Sequence, residues 1–363
     1  MPPTSPVFPE RAILTGSASR SVLSPAVPLV SVVVPCYNEQ TTVGLLLQAL
    51  YAQTYPRSCL EVVIADGLST DQTRERIADF QKDHPDLSIR VLENPRRIIP
   101  AGLNQAIEAA RGEVLIRLDG HSVPRPEYVK SCVRVLYQGL GDNVGGAWEI
   151  RPRDTSWSAR AVAAAAAHPL GVGDARYRIG GPAQPVETVP FGAFRRDLIS
   201  RVGPFNESLL TNEDYEFNTR IRQAGGTVWF DPDIRSTYYA PGSFGDLARQ
   251  YARYGYWKAR MLRRYPHTVR WRQALPPLFV LALFVLPVLG IWLAQARWVW
   301  YAQIVLYAAS LMVAGLLAAL QKKDLALLLG LPIAVVTMHL AWGAAFLWSL
   351  ITSRTEDRRP EPA

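Results

Sequence analysis

Three long apolar stretches, roughly residues 275–296, 298–320 and 325–351, constrain this chain more than any other feature. Each has the ~20 residues that a helix needs to cross a bilayer. The third holds His339 but no formal charge. The connectors are short: Arg297 near the first, and "QKKD" (321–324) at the second. No acidic residue lies between Asp246 and Asp324, and residues 249–272 carry Arg249, Arg253, Lys258, Arg260, Arg263, Arg264, Arg270 and Arg272. Much of the net charge of +8 is made in that block. A basic block ahead of an apolar span predicts that the preceding residues lie in the cytoplasm, in a multi-pass protein of the inner membrane. It also points to anionic lipid headgroups or phosphorylated substrates, and not to nucleic acid, as partners. An odd number of spans places the polar tail (352–363) on the opposite side. Residues 1–28 are rich in Pro and Ser without a signal-type apolar core, which predicts a flexible tail. Cys36, Cys59 and Cys132 are scattered, lack metal-ligand spacing, and suit a reducing cytosol.

Ahead of the spans the pattern changes. "LVSVVVP" (29–35), "LEVVIAD" (60–66), "SIRVLEN" (88–94), "EVLIRLD" (113–119) and "VGGAWEI" (144–150) read as strands. "TTVGLLLQALYAQ" (41–53) and "DQTRERIADFQKD" (71–83) between them are amphipathic. Strand and helix in alternation predict an α/β fold with a mostly parallel, Rossmann-like sheet and helices on both faces. Ligands gather at the carboxyl ends of such strands. Tyr37, Asn38 and Glu39, then Asp66, then Asp119 fall at those ends. The first turn has no G-x-G-x-x-G, which argues against a dinucleotide-binding dehydrogenase.

The run "VLIRLDGHSVP" (114–124) ends a strand by presenting a carboxylate and an imidazole two positions apart. In an extended segment Asp119 and His121 project from one face and can reach one small target. A polar strand-end turn, with Gly120 supplying a positive φ, has the same composition. Residues 151–245 read as more irregular, with Gly- and Pro-bearing loops. "TNEDYEFNTRIRQAG" (211–225) stands out there as a helix, capped by Thr211 or Asn212 and ended by Gly225. Glu213 and Asp214 then occupy its first turn, where the helix dipole favours negative charge.

Together "SVVVPCYNE", "VVIADGLSTDQT", "LIRLDGH", the "NED" helix and "RQYARYG" (249–255) resemble, in order, motifs of the family 2 glycosyltransferases with a GT-A fold. The succinoglycan-type exopolysaccharide glucosyltransferases, which carry a C-terminal membrane anchor, are the most similar group. The resemblance implies a GT-A domain (29–242), a basic amphipathic interfacial helix (243–274) and about three transmembrane helices (275–351). It implies that Pro35, Tyr37, Glu39, Asp66 and Asp119 bind the nucleotide sugar, and that Asp119 and His121 hold a divalent cation. Asp214 becomes the general base of an inverting transfer. Glu213, Gln250, Arg253 and Tyr254 are placed at the acceptor and diphosphate. The donor is expected to be a UDP-hexose, and the acceptor a lipid-linked saccharide of exopolysaccharide or surface-glycan assembly. His121 departs from the family's Asp, and imidazole suits Mn²⁺ better than Mg²⁺. Within the basic helix, Gln250 and Arg253 go to the site, and the later arginines, Arg263 and Arg264 among them, to membrane lipid. A polyprenyl-phosphate glycosyltransferase and a non-catalytic nucleotide-sugar-binding scaffold remain the alternatives.

Overall fold

The computed structural model describes residues 27–352 except Val269, and the side chains of His267, Trp271 and Arg272 are outside the description. Of the expected tails (1–28 and 352–363), residues 1–26 and 353–363 lie outside the described residues. The first half runs β1 (Val30–Cys36), α1 (Val43–Tyr51), β2 (Leu60–Asp66), α2 (Thr73–Asp83), β3 (Ser88–Glu93), α3 (Ile99–Ala109) and β4 (Val114–Arg117). Then come β5 (Val123–Pro124), α4 (Tyr128–Tyr137), β6 (Asn143–Arg151), α5 (Trp157–Ala166), α6 (Pro169–Val172) and α7 (Arg176–Ile179). The domain closes with β7 (Gln184–Pro185), β8 (Ala193–Arg195), α8 (Asp197–Val202), α9 (Glu213–Gln223) and β9 (Val228–Tyr239). Four helices follow: α10 (Phe244–Arg264), α11 (Trp271–Leu289), α12 (Ala294–Lys322) and α13 (Ala326–Thr352).

The strands form one sheet in the order β3-β2-β1-β4-β8-β6-β9-β5, with β7 against β9. β3, β2, β1 and β4 are mutually parallel, β8 is antiparallel to both β4 and β6, and β6 and β9 are parallel again. Every residue of β1 and β2 is buried, as parallel strands covered on both faces require. Alternate residues feed two cores. Val32 and Val34 join Leu46 and Leu47, while Val33 joins Leu103 and Phe217 on the opposite face. The strand order reverses between β1 and β4, so a crevice opens at their carboxyl ends.

The fourth strand stops at Arg117, two residues short of the expected Asp119. Asp119 to Ser122 form a turn, closed by the Ser122 amide donating to the Asp119 carbonyl at 2.9 Å. Asp119 and His121 are therefore brought together by the turn and not by strand alternation. Gly120 is absent from the positive-φ residues, so the left-handed glycine of the alternative reading does not occur there. What Gly120 provides is space: a Cβ would lie 3.0 Å from Glu39 Cγ and 3.4 Å from Cys36 Sγ. The stretch read as irregular contains α5, whose Ser156 hydroxyl caps the Ala159 amide at 3.2 Å. Its run of alanines is the best helix-forming composition available.

The interfacial helix is shorter than expected, because Pro266 follows its cap residue Tyr265 and cannot continue it. α10 packs along α13, and at Gly255 a Cβ would sit 2.2 Å from the Trp342 carbonyl oxygen. α5 packs on α13 as well, with a Cβ at Gly330 falling 2.6 Å from that of Ala161. Arg160 pairs with Asp324 at 2.7 Å, tying α5 to the α12–α13 connector. One core joins Val162, Tyr238 and Tyr251 to Leu331, Val335 and Met338. Arg263 donates to the Leu350 carbonyl at 2.6 Å, and Arg264 to Ser208 Oγ at 3.2 Å. The two arginines assigned to lipid thus have protein partners, Arg263 on α13 and Arg264 on the loop before α9.

Among the described residues, α12 and α13 are long and apolar enough to cross a membrane. α11 carries Pro276, Pro277 and Pro287, and its apolar part, Gln273–Leu289, is shorter. The described helices therefore supply two full-length candidates where the sequence suggested three. Leu306, Val305 and Trp298 of α12 point outward as apolar surface.

Candidate active site

The loops that follow β1 and β2 are stitched together. The Asn38 amide donates to Ser69 Oγ at 2.9 Å, and Asn38 Oδ1 accepts from the Thr70 amide at 2.9 Å. The Glu39 amide donates to Thr73 Oγ1 at 2.8 Å, and the Gln40 amide to Asp71 at 3.1 Å. This stitching fixes the Glu39 side chain over the β4 turn, where Glu39 Oε1 lies 2.9 Å from His121 Nδ1. Thr42 donates to the other Glu39 oxygen.

Beneath the turn, Arg117 is the residue that sequence reasoning missed. Its guanidinium reaches Glu213 Oε1 at 2.7 Å and Asp119 Oδ1 at 3.3 Å, with only 6% of the arginine and glutamate side chains exposed. A lone arginine inside the apolar run "VLIRL" was the available signal, since a buried cation demands an anion. Arg117 couples the end of β4 to the first turn of α9. Asp214, the next residue, is half-buried and accepts from the Tyr215 amide at 2.7 Å. Burial pushes the Glu213 carboxyl up to about 7, with Arg117 opposing and Asp214 adding to the rise. Burial also raises Asp214, against the pull of Arg117 and the Tyr215 amide and with a push from Asp119. Lys258 of α10 is buried with Nζ 3.2 Å from the Tyr215 ring centre, and its charge acts on Asp214.

The other expected residues divide. Pro35 is buried within β1, and Tyr37 is exposed beside Gly67, where a Cβ would lie 3.2 Å from the tyrosine ring. Asp66 is fully buried, and its carboxylate accepts from Ser69 Oγ at 2.5 Å and from Arg74. It thus shapes the β2 loop from within. Gln250 donates to the Tyr238 hydroxyl at 3.0 Å, Tyr254 meets Tyr251 edge-on, and Arg253 is exposed. Among the described residues, no recorded hydrogen bond or ion pair joins these three to Asp119, His121 or Asp214. Asn212 stands at the α9 N-cap in the left-handed region (φ 67°), without a side-chain capping bond.

The donor set at the β4 turn suits a divalent cation. Asp119 offers a carboxylate 22% exposed, and His121 an imidazole 44% exposed. With Nδ1 held by Glu39, the Nε2 of His121 is left to a ligand, the usual arrangement at histidine metal ligands. Burial works against protonation of His121, but the Glu39 hydrogen bond and the charges of Asp119 and Glu39 outweigh it and raise its pKa. Metal binding would displace that proton. No group of three or more His, Cys, Asp or Glu able to hold a metal occurs among the described residues. Phosphate oxygens and water would have to complete the coordination, as is common where cations bind substrate phosphates.

A parallel-sheet crevice with an acid–imidazole turn facing a carboxylate pair defines a glycosyltransferase of the GT-A type. The sequence pattern of glycosyl transferase family 2 matches residues 31–203. The succinoglycan biosynthesis protein ExoA of Rhizobium meliloti (strain 1021) is 30% identical over 326 residues, 89% of this chain and 95% of that protein. A Methanococcus voltae protein is 26% identical over 264 residues, 71% of this chain and 81% of its own. It is named a dolichyl N-acetyl-alpha-D-glucosaminyl phosphate 3-beta-D-2,3-diacetamido-2,3-dideoxy-beta-D-glucuronosyltransferase. Among solved structures, the mannosyltransferase PcManGT from Pyrobaculum calidifontis, in complex with GDP-Man and Mn²⁺, aligns with a TM-score of 0.58 and 26% identity. That alignment covers 92% of this chain and 88% of PcManGT. The chain belongs to glycosyltransferase family 2.

Proposed function

We propose that the protein is a membrane-anchored, inverting enzyme that moves a hexose from a nucleoside-diphosphate sugar to a lipid-linked saccharide during exopolysaccharide or surface-glycan assembly. The observation that carries this reading is the Arg117 bridge, which sets Asp119 at the donor end of β4 and Glu213 beside Asp214 in one charged unit. The stitched β1 and β2 loops, with Pro35, Tyr37, Glu39 and Asp66, form the nucleotide side. Asp119 and His121 would hold a divalent cation, with Mn²⁺ favoured over Mg²⁺ because one donor is an imidazole. Such a cation supplies Lewis-acid stabilisation of the charge on the departing diphosphate. Asp214 takes the proton from the acceptor hydroxyl as that oxygen attacks the anomeric carbon. Its raised basicity, a consequence of burial, suits the task. Glu213 and Arg117 hold Asp214's turn in register.

The membrane placement rests on α12 and α13, with the catalytic domain on the cytoplasmic side with the basic block. The lipid-linked acceptor is supported by the Methanococcus voltae relative, whose name describes transfer to a dolichyl-phosphate-linked sugar. A UDP-hexose is the donor that the exopolysaccharide resemblance favours, and the GDP-mannose of PcManGT sets the competing choice. The test is transfer by the purified full chain from radiolabelled UDP-glucose, UDP-galactose and GDP-mannose into membrane lipid extracts, with Mn²⁺ or Mg²⁺. Label entering the organic phase from one donor supports the reading. Label that stays in the aqueous phase with every donor contradicts it.

A further inference from the structure

Arg178 is a buried cation that the transfer chemistry above does not use. Arg178, on the short α7, is 8% exposed, yet among the described residues no carboxylate or other acceptor pairs with its guanidinium. Aromatic faces surround it instead, with the Trp148, Tyr177 and Tyr238 rings 4.8, 5.4 and 5.5 Å from its central carbon. Cation–π contact offsets part of the cost of burying a guanidinium, and its N–H groups stay open to a solvent-borne acceptor. A second donor is stranded in the same cluster: Trp148 Nε1 is buried and has no hydrogen-bond partner. Trp148 is held in place by stacking on Tyr238 at 4.3 Å and by the edge of Tyr177 at 4.9 Å. Tyr238 is itself fixed by Gln250 at 3.0 Å. Two residues without a protein acceptor among the described residues thus share one aromatic cluster, and one of them bears a full charge.

The enclosure sits where the catalytic domain meets the apolar helices. Tyr238 and Tyr251 belong to the same core as Leu331, Val335 and Met338 of α13. An anion reaching Arg178 from that side would have an apolar chain behind it and the sheet ahead of it. The diphosphate of an isoprenoid-linked acceptor has this form, with a charged group between a hydrocarbon tail and a sugar. We propose that Arg178, with the Trp148 indole N–H, is the receptor for the lipid-side phosphate of the acceptor. The proposal rests on the lipid-linked acceptor put forward above and assigns its anchoring group. It also gives the Gln250 and Tyr254 motif a place: these residues build the wall of the lipid-phosphate site, away from the donor diphosphate.

The test uses the full chain in detergent and isothermal titration with farnesyl diphosphate, farnesol, inorganic pyrophosphate, UDP and GDP. Wild-type protein should bind farnesyl diphosphate more tightly than pyrophosphate, and farnesol should not compete. Arg178→Gln should raise the Kd for farnesyl diphosphate roughly tenfold or more, the loss expected for a charge-assisted hydrogen bond. Binding of UDP and GDP with Mn²⁺ should stay the same. Trp148→Phe, which keeps the ring and removes the N–H, should raise the Kd by roughly threefold or more. This second variant keeps the test decisive if Arg178→Gln fails to fold. Unchanged affinity for farnesyl diphosphate in the folded variants overturns the assignment while leaving the lipid acceptor standing. Parallel loss of UDP or GDP binding also overturns it, by placing Arg178 on the donor side. Pyrophosphate binding as tight as farnesyl diphosphate overturns the lipid source. Failure of the wild type to bind farnesyl diphosphate removes the lipid-linked acceptor along with Arg178.

Discussion

Replacing Arg117 by Met should cost the domain more than any change at the exposed metal turn. The guanidinium and the Glu213 carboxylate are 2.7 Å apart with 6% of each side chain exposed, so solvent screens their attraction little. Removing one partner of such a pair costs about 3–5 kcal/mol, because it strands the other charge. Arg117 Nε and Nη1 already lack hydrogen-bond partners, which places this case near the lower end. At about 2–4 °C per kcal/mol for a domain of this size, the melting temperature should fall by roughly 6–12 °C. Adding Glu213→Gln removes the stranded charge and should recover part of the loss, giving a coupling of roughly 2 kcal/mol in a double-mutant cycle. The pH supplies an internal control. Burial raises the Glu213 pKa, so protonation weakens the pair as pH falls and the loss from Arg117→Met should shrink at the lower pH. Tryptophan fluorescence melts of the full chain in detergent at pH 8 and pH 5.5 read all of these quantities. A melting point within about 2 °C of wild type at pH 8, or strictly additive single and double variants, would refute the ion-pair reasoning.

Three further outcomes follow from the same geometry. His121→Asp should lower the ratio of Mn²⁺- to Mg²⁺-supported transfer, and an unchanged ratio would remove His121 as a ligand. The acid limb of kcat/KM should lie above the ~3.9 of a free aspartate, because burial raises Asp214 and its neighbour Glu213. The base must be ionised to act, so activity should rise with pH through that limb; a limb near 4 would contradict the burial argument. Gly255→Leu should detach α10 from α13, since even a Cβ there meets the Trp342 carbonyl at 2.2 Å. Limited proteolysis between the domain and α11 would then quicken, and an unchanged pattern would show the contact to be dispensable.

Much of the fold was legible in the sequence because β1, β2 and β4 each carry an apolar run (Val32–Val34, Val62–Ala65, Val114–Ile116) with polar residues at or just past the carboxyl end. The "NED" helix was legible for the same kind of reason, with its acids preceding an amphipathic period. What escaped depended on tertiary partners. Arg117 looked like one polar residue in a strand, and only the arrival of α9 from about 96 residues away gives it a role. Arg178 sits in a Gly-rich stretch without periodicity, so nothing local marked it as buried. The packing of α10 on α13 was not legible, because apolar spacing alone does not distinguish a bilayer surface from a neighbouring helix. Its Gly255 was the overlooked sign of a close helix contact. The first apolar stretch meets the length rule by composition, but it carries Pro276, Pro277 and Pro287, and its apolar helix ends at Leu289.

The central claim is that Asp214 removes the acceptor proton at a site organised by Arg117 and the β4 turn. Its most direct test is single-turnover transfer by Asp214→Asn protein, with nucleotide-sugar binding measured alongside. Loss of a positioned general base should slow transfer by about 10²–10⁴-fold while donor affinity stays near wild type. Transfer at the wild-type rate by that variant would contradict the account.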